Sequence, residues 1–268
     1  MEFLKSTIKI GLEKPVGFLH ISDTHLPKDD PADEKNGEFR AKAEADLIEA
    51  LEYADRNGLY VLHTGDIMTY WNEKNLKTID RLFGSRDYIF AVGNHDFCHE
   101  GGYFDDPENI ERNIKLVAPH FPHNLVFYAK VIGGVNVVSV LNGFFRISEG
   151  QLEMLRAEVA KGYPVILCMH VPFFTQEHAA ARLARGNCAH LLAPTEEYLA
   201  CYPEKFQFQR ADEMTLRAME YIKSEPAIKA IIAGHTHMNW EEVLDGGTIQ
   251  IVTAGTFEGG YAREITVE

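Results

Sequence analysis

Five times along the chain a short apolar run stops at a residue able to bind a metal ion. Val16 to Ile21 leads to Asp23 and His25, Leu59 to Leu62 to Gly65-Asp66, and Tyr88 to Val92 to Gly93-Asn94-His95-Asp96. Val165 to Met169 leads to His170, and Ala230 to Ala233 to Gly234-His235-Thr236-His237. Continuous runs of this kind, rich in β-branched residues, suit strands buried on both faces. Helical patterns separate several of them, and that alternation predicts a largely parallel α/β arrangement. Open α/β sheets bind ligands at the carboxyl ends of their strands. All five polar clusters fall at that predicted end.

The helices are placed by their punctuation. Glu38 to Asn57 carries Leu47, Ile48 and Leu51 and stops at Gly58. Asn75 to Phe83 is shorter. Ser148 to Lys161 opens with Ser148-x-x-Gln151, the pattern of a capping box. Asp212 to Ser224 ends just before Pro226. Two hairpins are expected, across Gly133-Gly134 and across Asp245-Gly246-Gly247, with a last strand over Ala262 to Val267. Residues 171–210 break the rhythm. They hold Pro172, Pro194 and Pro203 with no clean periodicity, and are read as an insertion that lids the site of a single domain spanning 1–268.

Charge narrows the partners. Forty acidic residues against 26 basic ones leave a net −14, the wrong sign for gripping nucleic acid through its phosphates or for an anionic membrane surface. A small anionic substrate stays compatible if bound cations reverse the local field. No apolar run approaches the roughly 20 residues of a membrane span, and Met1 to Ile10 holds no signal-like apolar stretch. Cys98, Cys168, Cys188 and Cys201 form no CxxC pair. They read as reduced thiols, with Cys168 in the core, and the expected compartment is the cytoplasm.

Asp, His and Asn together offer hard oxygen and borderline nitrogen, a donor set for Mn²⁺, Fe, Zn²⁺ or Mg²⁺. There are enough of them for two divalent ions sharing one carboxylate, which can clamp a phosphoryl group between them. In order and approximate spacing, Asp23-x-His25, Gly65-Asp66, Gly93-Asn94-His95-Asp96, His170 and Gly234-His235-x-His237 resemble the calcineurin-like metallophosphoesterases. The resemblance implies a four-layer α/β/β/α sandwich, two mixed β-sheets flanked by helices. It implies that Asp23, His25 and His237 bind a first metal, that Asn94, His170 and His235 bind a second, and that Asp66 bridges them. A bridging hydroxide would attack a phosphate ester, a small phosphodiester or phosphomonoester. His95 would act as general acid without binding metal, and Asp96 would orient it. A catalytically silent metal-bound scaffold of the same fold and a nuclease are the alternatives.

The purple acid phosphatases of that superfamily place a Tyr three residues after the bridging Asp, and they tend to have Glu where Asp96 stands. Here Thr69 holds the first position and Tyr70 follows it, so the iron-tyrosinate subgroup is disfavoured. For the substrate, Arg182 and Arg185 are candidates to reach a second phosphate or carboxylate. Phe173 and Phe174, directly after His170, are candidates to stack on it. His20 and His63 lie inside predicted strands and read as packing residues. His120, His123, His178 and His190 read as solvated, and Cys98 and His99 as a surface loop.

Overall fold

A computed structural model describes residues 1–27, 34–98, 107–186, 190–200 and 204–268. The stretch from Asp29 to Asp33, His99, Cys188 and Cys201 lie outside the described residues. Two mixed sheets face each other. The first runs in the order β1 (Glu2–Ile8), β11 (Tyr261–Val267), β2 (Val16–Ile21), β3 (Tyr60–His63), β4 (Tyr88–Phe90). Strands β2, β3 and β4 are parallel, while β11 runs antiparallel to β2 and parallel to β1. The second runs β5 (Phe127–Ile132), β6 (Val135–Val140), β7 (Val165–Cys168), β8 (Ile228–Ala233), β10 (Ile249–Val252), β9 (Trp240–Val243). There the central strands β6, β7, β8 and β10 are parallel and the two flanking pairs are the expected hairpins.

Apolar side chains fill three layers. Phe18, Leu62 and Ile89 of the first sheet meet Val137, Ile166 and Ile232 of the second in the space between the sheets. On the outer face of the first sheet, α1 (Glu34–Asn57) and α2 (Glu73–Phe83) pack Leu47, Leu51, Ile79 and Phe83. Leu47, Ala50, Leu51 and Ala54 recur at i, i+3, i+4 and i+7, the spacing that buries one helix face. On the outer face of the second sheet, α4 (Glu149–Val159) and α7 (Glu213–Ser224) bring Leu152, Leu155, Met219 and Ile222. The layers are therefore α/β/β/α, as the resemblance implies.

Helix ends follow local chemistry. Both arms of the α4 capping box form: the Ser148 amide donates to Gln151 Oε1 at 2.8 Å, and the Gln151 amide to Ser148 Oγ at 3.3 Å. Asp212 caps α7 by accepting from the Thr215 amide at 2.7 Å. Strand β1 was not anticipated, because Lys5 and Ser6 interrupt its apolar pattern. It is an edge strand with a half-exposed face, held by its pairing to β11. Helix α3 (Pro107–Val117) was likewise not anticipated. Residues 171–210 are not irregular throughout: they hold α5 (Gln176–Ala184), α6 (Glu196–Ala200) and a 3₁₀ turn over Glu204–Gln209. Cys98 and Cys168 are both buried. For Cys98 this corrects the surface-loop reading. Among the described residues no helix is long and apolar enough to cross a membrane.

Candidate metal centre

All five polar clusters follow the carboxyl ends of parallel strands, three in the first sheet and two in the second, and the packing of the sheets brings those ends together. Two groups share no member, Asp23, His25 and His237, and Asp66, His170 and His235; a third, His25, Asp66 and His95, lies between them. The ligand atoms within each lie within 4.8 Å of one another. Asp66 joins the two: its Oδ2 is 3.1 Å from His170 Nε2 and 3.8 Å from His25 Nε2. Its other oxygen accepts from the His95 amide at 2.8 Å.

The backbone of these loops is strained. Asp23, His25, Asp66, His235 and His237 all have positive φ, between 46° and 68°. Each such non-glycine residue costs of order 1–3 kcal/mol, and strain of this kind gathers at functional sites. The glycines of the motifs are explained by close approach. A Cβ on Gly93 would stand 2.1 Å from Asp66 Oδ1, and one on Gly234 would stand 1.8 Å from Ser22 Oγ and 2.4 Å from Asp23 Oδ2. No side chain fits at either position without displacing a candidate ligand or the chain beside it.

The donor set fits divalent cations. Asn94 Oδ1 is buried with no hydrogen-bond partner, an arrangement that costs free energy unless something else binds the oxygen. Ring nitrogens point at each other across both halves, with His25 Nε2 to His237 Nε2 at 3.1 Å and His235 Nδ1 to His170 Nε2 at 3.0 Å. Burial lowers His25 to about 3 and takes His235 well below its ordinary value, which keeps both imidazoles neutral with a lone pair to give. Burial disfavours charge on Asp23 and Asp66. The facing imidazoles, His237 and His170 respectively, outweigh it and hold both carboxyls below the usual range. His170 behaves oppositely. Burial works against its charge, but Asp66 prevails and raises it to about 9.

Backbone carbonyls orient two of these rings. His170 Nδ1 donates to the Thr64 carbonyl at 2.7 Å, which turns Nε2 toward Asp66. His95 Nδ1 donates to the Thr69 carbonyl at 3.0 Å, leaving Nε2 as the nitrogen that can exchange a proton with the cleft. Asp96 does not play the part expected of it. Its buried carboxylate accepts from the backbone amides of Asp66 and Ile67, each at 2.9 Å, and of Gly93 at 2.8 Å, and makes no bond to the His95 ring. It braces the β3 and β4 loops against each other. Burial, then Asp66, pushes the carboxyl up to about 8, while the amide donors pull it back.

The centre opens on a cleft of about 350 Å³ lined by His25, Asp66, Asn94, His95, His235, Thr236 and His237 and by Phe145, Arg182, His190 and Phe208. Of the four residues expected on the substrate side, Arg182 alone lines it. Arg185 caps the C-terminus of α5 and is exposed to solvent. Phe173 is fully buried, its backbone exchanging hydrogen bonds with the Gln250 side chain and its ring set in the outer core of the second sheet. Phe174 packs with Ala179, Leu191 and Tyr198. Both rings turn into the core after His170 and anchor the insertion there. His190, Phe145 and Phe208 escaped the sequence reading. A signal for Phe145 exists: Asn142-Gly143 follows the apolar run of β6 as the other polar clusters follow theirs. Asn142 Oδ1 accepts from the His170 and Val171 amides, each at 3.0 Å.

The other histidines divide similarly. His20 and His63 are buried and hydrogen-bonded, as expected of packing residues. His178 is fully buried rather than solvated, and His123 stacks on Tyr128 at 4.1 Å.

Fold and site together define an α/β protein with groups of candidate metal ligands at the strand ends. The family model for calcineurin-like phosphoesterases matches residues 17–239, and the chain belongs to that family of metal-dependent phosphoesterases. No curated protein matches the sequence. Among solved structures, a dimetal phosphatase from Danio rerio is similar with a TM-score of 0.55 and 14% identity, over 91% of this chain and 88% of that one. A purple acid phosphatase from yellow lupin (Lupinus luteus) seeds is similar with a TM-score of 0.53 and 15% identity, over 90% of this chain and 44% of that one. At these identities the likeness is one of fold.

Proposed function

We propose that this chain hydrolyses a small-molecule phosphate ester, a monoester or diester, at a centre of two divalent metal ions. The observation that carries the reading is the meeting of two ligand groups at the Asp66 carboxylate. Asp23, His25 and His237 would hold one ion, Asn94, His170 and His235 the other, and Asp66 both. The chemistry such ions supply when bound is Lewis-acid polarisation of a phosphoryl group and activation of water at neutral pH. Mn²⁺, Fe, Zn²⁺ and Mg²⁺ all suit these donors.

The chain's own part is positional and acid–base. The Thr69 carbonyl fixes the His95 ring, so its protonated form presents Nε2–H to the leaving-group oxygen. The Asp96 carboxylate holds the Asp66 loop, and the Thr64 carbonyl holds His170. Arg182 of α5, His190 and Phe208 of the 3₁₀ turn form part of the cleft wall, which supports reading 171–210 as an insertion over the site. We take 1–268 as one catalytic domain. The reading of the cysteines as reduced thiols suits a cytoplasmic setting.

The test is hydrolysis of 4-nitrophenyl phosphate and bis(4-nitrophenyl) phosphate by protein supplied with Mn²⁺. The expected result is turnover of at least one ester. His95→Ala should lower kcat by about 100- to 10,000-fold while two metal ions per chain are kept. A folded protein that turns over neither ester with any of the four metals would overturn the proposal. Loss of metal in His95→Ala would remove His95 from its assigned role.

A further inference from the structure

Resting on the phosphoesterase reading, we infer that Arg182 of α5 and His190 build a second anion-binding subsite in the cleft. The substrate is then a phosphate ester whose alcohol part carries another anionic group, a carboxylate or a second phosphoryl. The subsite is Arg182 with His190, which belong to none of the metal-binding groups.

Helix α5 is fastened to the metal-side loop. His178 is fully buried, its Nε2 lies 3.2 Å from Thr236 Oγ1, and its ring stacks on Trp240 at 5.4 Å and 13°. Thr236 stands between His235 and His237, so the loop that carries two candidate ligands also sets the position of α5. Arg182 follows His178 by four residues, one turn along the same helix face. That spacing carries its side chain to the cleft wall, whereas Arg185 three residues later falls at the exposed helix end.

The His190 ring lies 6.3 Å from that of His235, at the near end of the subsite, and two aromatic rings flank the path from the ligands toward Arg182. The Phe145 ring lies 5.5 Å from His235 and 5.1 Å from Phe208, whose ring lies 5.5 Å from His190. A phosphoryl group at the ligands would lay a carbon skeleton along these two rings and bring a distal anion to Arg182 and His190. The charge pattern agrees. The chain carries a net −14, yet among the described residues lining the cleft the single carboxylate is Asp66, which faces histidines. A guanidinium on that wall matches carboxylate and phosphate geometry with its planar fork of donors.

A matched set of esters tests this: phenyl phosphate, 4-carboxyphenyl phosphate and 1,4-phenylene bisphosphate, with Mn²⁺-loaded protein. The expected result is a kcat/KM about tenfold or more higher for at least one of the two with a distal anion, and which one responds tells carboxylate from phosphoryl. Arg182→Gln and, separately, His190→Gln should bring that ratio to about one, chiefly through KM, with circular dichroism confirming the fold. No preference in the wild type overturns the inference. So does an equal loss on all three esters in Arg182→Gln, because the guanidinium would then serve the reacting phosphoryl. If none of the three is cleaved, the phosphoesterase reading fails by itself. Calorimetric binding of the same esters to the loaded protein still decides the subsite: tighter binding of a distal-anion ester upholds it, and equal binding overturns it.

Discussion

The cleft has two walls built in different ways. One is made of strand ends. Asp23, His25, Asp66, Asn94, His170, His235 and His237 each sit within a few residues of a parallel strand, on short loops locked by glycine contacts and by positive φ. The other is made largely of what lies between strands: Arg182 on α5, His190 in the segment after it, and Phe208 in a 3₁₀ turn, with Phe145 beyond the end of β6. The first wall cannot move without disturbing the sheets. The second is tied to it at identifiable points, His178 on Thr236 and the Phe173 backbone on Gln250. On the proposed function, reaction chemistry falls on the rigid wall and recognition of the rest of the substrate on the loop-built one.

That division predicts very unequal sensitivities. Asp66→Asn attacks the one carboxylate facing both ligand groups, and it should show the largest effect. Metal analysis should find both ions weakened together, and kcat/KM should fall on the order of 1000-fold, the upper end for losing one preorganised electrostatic contact. Retention of one ion at full affinity would mean that the two halves are independent and that Asp66 does not join them.

Asp96→Asn comes next and sharpens the picture of how the rigid wall is held. Replacing a carboxylate that accepts three short bonds from amides by a group with its own N–H donors opposes those amides, at about 1–3 kcal/mol of stability. Metal affinity should fall about 10- to 100-fold, as it does when groups behind the ligands are changed. The outcome also separates two roles. If Asp96 instead oriented His95, turnover would fall with metal affinity intact.

A pH dependence follows from His170. Asp66 raises its imidazole to about 9, so near neutral pH a proton occupies the nitrogen that a metal needs. Binding then displaces that proton. Apparent Mn²⁺ affinity should rise by about tenfold per pH unit from pH 7 and level off through about pH 9, measured by competition with an indicator. In the metal-free protein the same raised value stabilises the fold below about 6.5 and is lost as pH rises through about 9. His20 and His63, lowered by burial to about 3, act in the other direction: their contribution is present above about 6.5 and is lost as pH falls toward 3. Thermal melts of metal-free protein should therefore peak near pH 6.5 to 7. Metal loading should remove the alkaline decline and keep the acid one.

The two walls also differ in how far the sequence discloses them. Strand-end ligands are legible because one short-range signal marks each: an apolar run, often a glycine, then Asp, Asn or His. The parallel sheet does the rest by collecting like ends. The buried carboxylate of Asp96 was legible as part of its motif but not in its role. Beside the local Gly93 amide, its partners are amides some 30 residues earlier, Asp66 and Ile67, and nothing local announces those. Edge strand β1 was hidden because an edge needs one apolar face only, and Lys5 and Ser6 disguised it. On the second wall no periodic signal exists. Whether a side chain there meets substrate depends on how the insertion folds back, and adjacency to a ligand misled: Phe173 and Phe174 follow His170 directly yet turn into the core.

The smallest expected effect is the most direct check on that wall. Arg185 and Arg182 share an insertion, a charge and nearly a position, and the sequence treats them alike. The fold does not: Arg182 lines the cleft, while Arg185 ends α5 in solvent. Arg185→Ala should therefore change kcat/KM by less than about twofold and stability by no more than about 0.5 kcal/mol, the ordinary range for an exposed side chain. Steady-state kinetics on the ester that serves the wild type best, with a thermal melt, measures both. A loss comparable to that from Arg182→Gln would mean that α5 is rotated or unwound when substrate binds, bringing a residue three positions later onto the cleft. The second wall would then be a moving element whose resting geometry does not set specificity. Insensitivity at Arg185 beside sensitivity at Arg182 would instead show that the His178 anchor fixes the helix face presented to substrate.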